Sequence, residues 1–314
     1  MNKLYFLCGL PASGKSTYCE QYKHNKDWVV LSSDKIRAEL GDVNDQSRNE
    51  EVFKILHSIV KNDLRAGKNV CYDATNLSRR RRIYFIQHEL RDIPCEKVCV
   101  LFATPYEICL KNNANRERKV PEEVIEKMYK SFNIPCKQEG WDEIQIVWYD
   151  YKKDGIEFDY FKDLMQWCQI SHDNPNHSLS IGNHMLSALK YYWVNMCDVS
   201  KNLFENYILS IAVLMHDCGK VFCKQFVDSK CNPSETAHFY NHHNFGSYLS
   251  LFYLKEMKFT DEDILYISLL IELHMRPFLA WDKSEKSKEK DRRLFGDDII
   301  SNIGLIHKCD LAAH

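Results

Sequence analysis

The stretch Gly9-Leu10-Pro11-Ala12-Ser13-Gly14-Lys15-Ser16 decides how the first half of the chain is read. It fits the pattern G-x-x-x-x-G-K-[ST], which carries weight only between a strand and a helix. Both flanks are there. Leu4-Tyr5-Phe6-Leu7-Cys8 is a short apolar run of the kind that forms a buried strand, and the residues from Lys15 to about Lys23 suit a helix. Glycine lets the backbone turn tightly and turn several N–H groups toward one anion. The helix opening at Lys15 adds its positive end. Lys15 supplies a point charge for β- and γ-phosphates and Ser16 a hydroxyl for Mg²⁺, with Gly9, Ser13, Gly14 and Thr17 completing the expected cradle. Strand, loop and helix agree, so a nucleotide-phosphate site is a better reading than an ordinary glycine turn.

Working outward, Trp28-Val29-Val30-Leu31-Ser32 reads as a second strand that ends at Ser33-Asp34-Lys35-Ile36-Arg37. A carboxylate at the carboxyl end of a strand in an α/β sheet faces the crevice where ligands bind. Asp34 therefore has two readings: a base that takes a proton from an attacking hydroxyl, or the N-cap of the next helix. Val52, Leu56, Ile59, Val60 and Leu64 recur at helical spacing. Asn69-Val70-Cys71-Tyr72-Asp73 is a third strand, followed by Ala74-Thr75-Asn76, with Asp73 expected near Mg²⁺ or the acceptor. Arg79 to Arg82 open a helix; most of the four are expected on a solvated face, with one available to a phosphate. Glu96 to Ala103 is a fourth strand, after which Thr104 is expected to cap a helix with Pro105 in its first turn. Asn113 to Pro121 is polar, basic and poor in packing residues. Such a segment either closes over a triphosphate with an arginine, Arg116 ahead of Arg118, or is simply a mobile basic loop. Ile144 to Tyr149 closes the sheet. The expected fold is a doubly wound parallel α/β sheet over residues 1–152.

Asp150-Tyr151-Lys152-Lys153-Asp154-Gly155 is short, polar and glycine-ended, and marks the join to a second domain at 153–314. There the pattern turns to helices alone: Leu186–Val194, Tyr207–Met215, Tyr248–Leu254 and Ile264–Leu273 carry helical apolar periodicity. His184, His216, Asp217, His242, His274 and Asp310 interrupt these apolar segments. Buried imidazoles and carboxylates cost free energy unless paired. One or two divalent transition metals (Mn, Ni, Co, Fe or Zn) would pair them, since imidazole and carboxylate together suit such ions. His243, beside His242, keeps the choice of one ligand open. His24, His57, His88, His172 and His307 have no supporting pattern and are taken as structural. Asp310 lies four residues from the last residue of the chain, so its ligand role is expected to be loosely held.

Composition narrows the class. The chain has 314 residues, 45% hydrophobic and 27% charged, with a net charge of −2. That balance offers no global attraction to nucleic acid, so any such binding comes from local basic patches. No apolar run reaches the length of a membrane span. The first strand begins too early to leave room for a signal peptide, and the thirteen scattered cysteines are expected to be reduced thiols of a cytoplasmic protein.

Two family resemblances follow from these motifs. The phosphate loop, Ser33-Asp34-Lys35-Ile36-Arg37, Asp73-Ala74-Thr75-Asn76, and Arg116 to Phe132 with Val120-Pro121 and Met128-Tyr129-Lys130-Ser131 together resemble the 5′-hydroxyl polynucleotide kinases of nucleic-acid repair. The resemblance implies ATP or another NTP with Mg²⁺, Asp34 as general base, and a lid arginine on the donor phosphates. It also implies Arg37, Asp73, Thr75 and Asn76 beside the acceptor; a planar bidentate donor such as Arg37 suits phosphate. From Asn174-Pro175-Asn176-His177 and Gly182-Asn183-His184 through His216-Asp217-Cys218-Gly219-Lys220, His238-Phe239-Tyr240-Asn241-His242 and Glu272-Leu273-His274 to Lys308-Cys309-Asp310, the second half resembles the HD-domain metal phosphohydrolases. That resemblance implies metal ligands at His184, His216, Asp217, His242, His274 and Asp310. With two ions Asp217 bridges them and a bridging hydroxide attacks phosphorus. His177 and Lys220 either support the ligands from behind or bind the substrate phosphate, or are plain surface groups. Together the two halves are similar to bifunctional end-healing enzymes, a 5′-kinase and a 2′,3′-phosphatase acting on RNA or DNA ends ahead of a separate ligase. Two rivals stand beside this reading: a small-molecule or nucleoside kinase fused to a nucleotide phosphohydrolase, and a nucleotide-gated binding protein with a degenerate second half.

Overall fold

A computed structural model describes every residue of the chain except Asn44, Gln46, Asn176, Val199, Lys201 and His314. Asn176, quoted above in the Asn174–His177 phrase, lies outside the described residues. The chain separates into two compact units, one of Met1–Met128 with Pro135–Gly155 and one of Ile156–His314 with Tyr129–Ile134. The first compact unit ends at Gly155, and Tyr129–Ile134 groups with the second unit.

The first unit runs β1 (Lys3–Cys8), α1 (Lys15–Cys19), β2 (Trp28–Ser32), α2 (Ser33–Leu40), α3 (Asn49–Arg65), β3 (Asn69–Asp73), α4 (Arg79–Tyr84), β4 (Glu96–Ala103), α5 (Tyr106–Ala114), α6 (Glu122–Tyr129) and β5 (Glu143–Trp148). All five strands are parallel, in the order β2-β3-β1-β4-β5. From β1 the chain first builds one side of the sheet and then returns to build the other. In such sheets the crevice at the strands' carboxyl ends opens beside the strand where the order reverses, which here is β1. Leu4, Leu7, Val70, Val98, Val100 and Leu101 are fully buried, as continuous apolar runs in a sheet covered on both faces require. Helix α3 turns Val52, Leu56, Val60 and Leu64 inward, the face its spacing defines.

Two local expectations need correction. Thr104 does not cap α5; Pro105 occupies the cap position, and the Thr104 hydroxyl donates to the Ser13 carbonyl at 3.0 Å, bracing the phosphate loop. Of the four consecutive arginines only Arg80 and Arg81 are exposed. Arg79 and Arg82 are buried on Glu139, whose Oε1 accepts from Arg82 Nη2 at 2.7 Å and from Arg79 Nε at 3.2 Å. Glu139 Oε2 accepts from Arg82 Nε at 2.7 Å and from the Trp141 indole at 3.0 Å. Burial alone would push the Glu139 carboxyl up, but the two guanidiniums outweigh it and hold it below the ordinary value. Replacing Glu139 by Gln should strand two buried cations and cost about 3–5 kcal/mol. Denaturant unfolding measures this, and a loss below about 1 kcal/mol would show that other groups pair the arginines.

The second unit contains α7 (Tyr160–Trp167), α8 (Ile181–Tyr191), α9 (Leu203–Met215), α10 (Lys220–Cys223), β6 (Gln225–Val227), β7 (Pro233–His238), α11 (His242–Glu256), α12 (Asp261–Leu273), α13 (Glu285–Phe295) and α14 (Asp297–Leu311). It is helical apart from the antiparallel ribbon β6-β7 and a bridge between Ser171 and Ser180. The helices-only expectation missed this ribbon because β6 is three residues long and β7 opens on a proline, too little for an alternating pattern to register. Side-chain caps from Ser180, Asn202 and Thr260 start α8, α9 and α12. Tyr129–Ile134 belongs here for aromatic reasons. Tyr129 packs on Phe245 at 4.1 Å between ring centroids, and Phe132 on Tyr248 at 5.0 Å. Glu272 then accepts from the Ile134 N–H at 2.9 Å. Among the described residues no helix is long and apolar enough to cross a membrane. All thirteen cysteines are free thiols: ten are buried, Cys168 and Cys197 are half-buried, and Cys231 is exposed.

Candidate functional sites

In the first unit the loop between β1 and α1 bends through Ala12 and Gly14, at φ 59° and 99°. Gly14 tolerates that conformation; Ala12 is held in it by the surrounding loop. A Cβ on Gly9 would stand 2.8 Å from Ser13 Oγ and 2.9 Å from Phe102 Cβ, so only glycine lets the loop leave the sheet there. The Lys15 ammonium donates to the carbonyls of Gly9 at 3.0 Å and Leu10 at 2.6 Å. Burial lowers the Lys15 pKa, with the Asp73 carboxylate opposing the shift. Ser16 Oγ donates to Asp73 Oδ2 at 3.1 Å, bringing a hydroxyl and a strand-end carboxylate together as hard-cation ligands. That donor set fits Mg²⁺.

A cavity of about 640 Å³ opens over this loop, within the usual size range of small-ligand sites. Gly14, Lys15, Ser16, Thr17, Asp34, Arg37, Asp73, Thr75, Arg116 and Arg118 all line it. Three residues expected at the ligand stand elsewhere. The Gly9 N–H is spent on the Thr75 carbonyl at 3.0 Å, and Ser13 is buried behind the loop beside Lys15. Asn76, at φ 53°, turns its amide back to the Leu7 carbonyl at 2.6 Å, so it shapes the turn after β3 instead of facing the acceptor.

Asp34 is inside the first turn of α2, and no side chain caps that helix. Its Oδ1 accepts from Arg37 at 2.9 Å and its Oδ2 from Arg118 at 2.7 Å. The cap reading is therefore set aside, and the carboxylate is left facing the cavity. Arg37 also donates to Asn49 at 2.6 Å, while its buried Nε has no hydrogen-bond partner among the described residues. The two lid arginines differ: Arg118 is engaged with Asp34 and the Val43 carbonyl, whereas Arg116 is close enough to act electrostatically on both Lys15 and Asp73.

In the second unit six side chains from five helices and their ends converge. His184 comes from α8, His216 and Asp217 follow α9, His242 opens α11, His274 follows α12, and Asp310 lies in α14. They form two groups, His184-His216-Asp217-Asp310 and Asp217-His242-His274. Asp217 serves both. Its Oδ2 is 3.3 Å from the Nε2 atoms of His184 and His216, and its Oδ1 is 3.2 Å from His242 Nε2 and 3.6 Å from His274 Nε2. Asp310 Oδ1 is 2.9 Å from His184 Nε2.

The backbone sets the tautomers. His216, His242 and His274 each pair Nδ1 with the carbonyl three residues back, Val213, Phe239 and Ile271, at 2.7, 2.8 and 2.7 Å. His184 Nδ1 faces the Ala313 carbonyl at 3.3 Å. A carbonyl only accepts, so each Nδ1 carries the proton, and each neutral ring directs its Nε2 lone pair at the carboxylates. Four lone pairs and two carboxylates gathered in this way repel one another unless protons or metal ions lie between them, and without metal the site holds protons. Burial opposes charge on His216, yet Asp217 and Asp310 raise its pKa to about 10; His184 is likewise raised, and burial lowers His274. The His184–His216 and His242–His274 Nε2 separations are 3.3 and 3.2 Å. Ligand edges of about 3.0–3.4 Å are those of a metal shell with bonds of about 2.1 Å. The residues fit two divalent ions, with Asp217 common to both.

Tight packing brings the turn after α9 against α11: a Cβ on Gly219 would fall 2.1 Å from the His242 carbonyl oxygen. Lys220 Nζ sits 2.6 Å from Asp217 Oδ2. Of the two neighbouring histidines, His242 is among the converging side chains and His243 is not. His177 stacks on His172 at 4.1 Å between centroids, and both rings meet His184 edge-on. His172, expected to be structural, stands beside these side chains in the loop that the Ser171–Ser180 bridge closes, and no spacing in the sequence signals that bridge.

The loop, the parallel sheet and the cavity together form a candidate nucleotide-phosphate site in the first unit. Residues 4–135 match the family model described as an AAA domain. The chain is 32% identical over 148 residues to the L-seryl-tRNA(Sec) kinase of Methanococcus maripaludis, covering 44% of this chain and 56% of that protein. It is 25% identical over 154 residues to the protein kti12 of Schizosaccharomyces pombe, covering 44% and 54%. The chain thus spans about half the length of these curated relatives. A chain of a Pnkp1/Rnl/Hen1 RNA repair complex aligns with 24% identity and a TM-score of 0.38, over 50% of this chain and 47% of that one.

Proposed function

We propose that the protein is a two-activity enzyme of nucleic-acid ends: an NTP-dependent kinase of terminal 5′-hydroxyls joined to a metal-dependent phosphohydrolase acting on 2′,3′-phosphates. The observation that carries the two-activity reading is Asp217, one carboxylate offering an oxygen to each of two histidine groups. A lone kinase has no use for it. The likeness to a kinase named for a seryl-tRNA supports phosphoryl transfer to a hydroxyl borne by nucleic acid.

In the kinase half the first-turn N–H groups of α1 and the Lys15 ammonium receive the donor phosphates, and Ser16 with Asp73 hold Mg²⁺. Asp34 takes the proton from the attacking hydroxyl. Arg118 must first release one Asp34 oxygen as the acceptor enters; Arg37 keeps the carboxylate oriented and lines the cavity on the acceptor's side. Arg116 neutralises the transferring group. Arg116→Ala should accordingly lower kcat by about 10³, whereas Arg118→Ala should act mainly on the acceptor KM, by about tenfold. Steady-state kinetics with ATP and a 5′-hydroxyl oligonucleotide separate the two, and equal losses of kcat would reverse the assignment.

In the phosphohydrolase half His184, His216, Asp217 and Asp310 would hold one divalent ion, and Asp217, His242 and His274 would hold a second. Divalent ions bound there would supply an acidified water and a Lewis acid for phosphoester cleavage. The chain's own part is to fix the imidazole tautomers, keep Asp217 ionised, and bring Lys220 to the substrate's phosphoryl oxygens. A second reading of the kinase half, phosphorylation of an aminoacyl hydroxyl on tRNA, is favoured by the 32% identity to the seryl-tRNA(Sec) kinase. Offering labelled ATP to a 5′-hydroxyl oligonucleotide and to seryl-tRNA tests both; labelling of the tRNA alone would select the second.

A further inference from the structure

His172 is fully buried, absent from the metal-binding groups, and yet in contact with the site. Its Nδ1 lies 2.7 Å from the Leu179 carbonyl and therefore carries the ring proton. The other nitrogen, Nε2, is left as an acceptor, and 3.5 Å away it meets the Lys220 ammonium, a group that only donates. Lys220 is then held from three sides: Asp217 Oδ2 at 2.6 Å, His172 Nε2 at 3.5 Å, and the face of Phe239 at 5.6 Å from its centroid. The stacked His177 ring, tilted by 11°, keeps His172 from rotating away. A lysine has four rotatable bonds, and an ammonium left to one carboxylate would swing toward whichever oxygen is nearest.

We propose that His172 is a positioning residue for phosphate binding in the second unit, acting through Lys220: its Nε2 lone pair keeps the Lys220 ammonium aimed for a phosphoryl oxygen. This rests on the phosphohydrolase reading for the identity of the ligand. Its consequence is that His172 matters to phosphate only while Lys220 is present.

A double-mutant cycle on the full-length protein loaded with Mn²⁺ tests this, with inorganic phosphate as the probe and titration calorimetry as the readout, so that turnover is not needed. His172→Phe keeps an aromatic ring against His177 and removes the acceptor; it should weaken phosphate binding about tenfold, the worth of one hydrogen bond of about 1.4 kcal/mol. The same substitution made on Lys220→Met should add less than twofold. Mn²⁺ content, measured by atomic emission, should be unchanged in His172→Phe, and His172→Gln, which restores an acceptor, should recover most of the affinity. Equal losses in both backgrounds, loss of Mn²⁺ from His172→Phe, failure of His172→Gln to recover, or no phosphate binding by the parent protein would each overturn the inference. Phosphate binding with the expected coupling but no phosphoester hydrolysis would instead leave the inference standing and remove the hydrolase reading.

Discussion

Lys15→Ala should abolish phosphoryl transfer from ATP, with a loss of at least about 10³ in kcat/KM, and leave hydrolysis at the second site unchanged. The size follows from what Lys15 does. Its ammonium is buried at the mouth of the phosphate loop and rests on the loop's own carbonyls until phosphate oxygens replace them. A preorganised positive charge in a partly desolvated cavity acts on the charge that builds on the γ-phosphoryl oxygens, and water cannot substitute for it there. The sheet should tolerate the change, since Lys15 donates only to the loop and not to the strands. A variant retaining more than a tenth of the transfer rate would mean that the cavity is not where ATP reacts.

Asp217→Asn should remove hydrolysis by a comparable factor and cut the metal content of the purified protein, while 5′-phosphorylation persists. The carboxylate is the one ligand common to both histidine groups, so its loss weakens both at once. Asparagine keeps the shape and one oxygen but no charge, which leaves the Lys220 ammonium facing a neutral amide in a buried site. Circular dichroism separates loss of metal from loss of fold. His274→Ala should be milder, because it takes one ligand from the second group only. If Asp217→Asn and His274→Ala lost metal equally, the shared role of Asp217 would be wrong.

Much of this arrangement is legible along the chain, because the features that signal it are local. The strand-loop-helix at Gly9–Ser16, the strand-end carboxylates Asp34 and Asp73, and the interrupted apolar helices at His216 and His274 are each readable within about ten residues. What escaped reading depends on contacts distant in sequence. Arg79 and Arg82 look solvated until Glu139 is seen beneath them, and Thr104 looks like a cap until the Ser13 carbonyl comes within reach. Tyr129 and Phe132 continue a basic lid segment but are claimed by the aromatic rings of α11. His172 and Lys220 meet across 48 residues through a loop bridge that leaves no periodic trace. The tautomers of the converging histidines were equally out of reach, since they are set by backbone carbonyls that any residue type would supply.

The central claim is that one chain carries two separable phosphorus chemistries. The direct measurement offers the purified protein a single oligonucleotide with a 5′-hydroxyl and a 2′,3′-cyclic phosphate, together with ATP, Mg²⁺ and Mn²⁺, and reads both ends by mass. The parent protein should add a phosphate at the 5′ end and leave a 3′-end free of phosphate, Lys15→Ala should lose only the first change, and Asp217→Asn only the second. An unaltered 3′ end with the metal site loaded, or one substitution erasing both changes in a folded protein, would contradict the account.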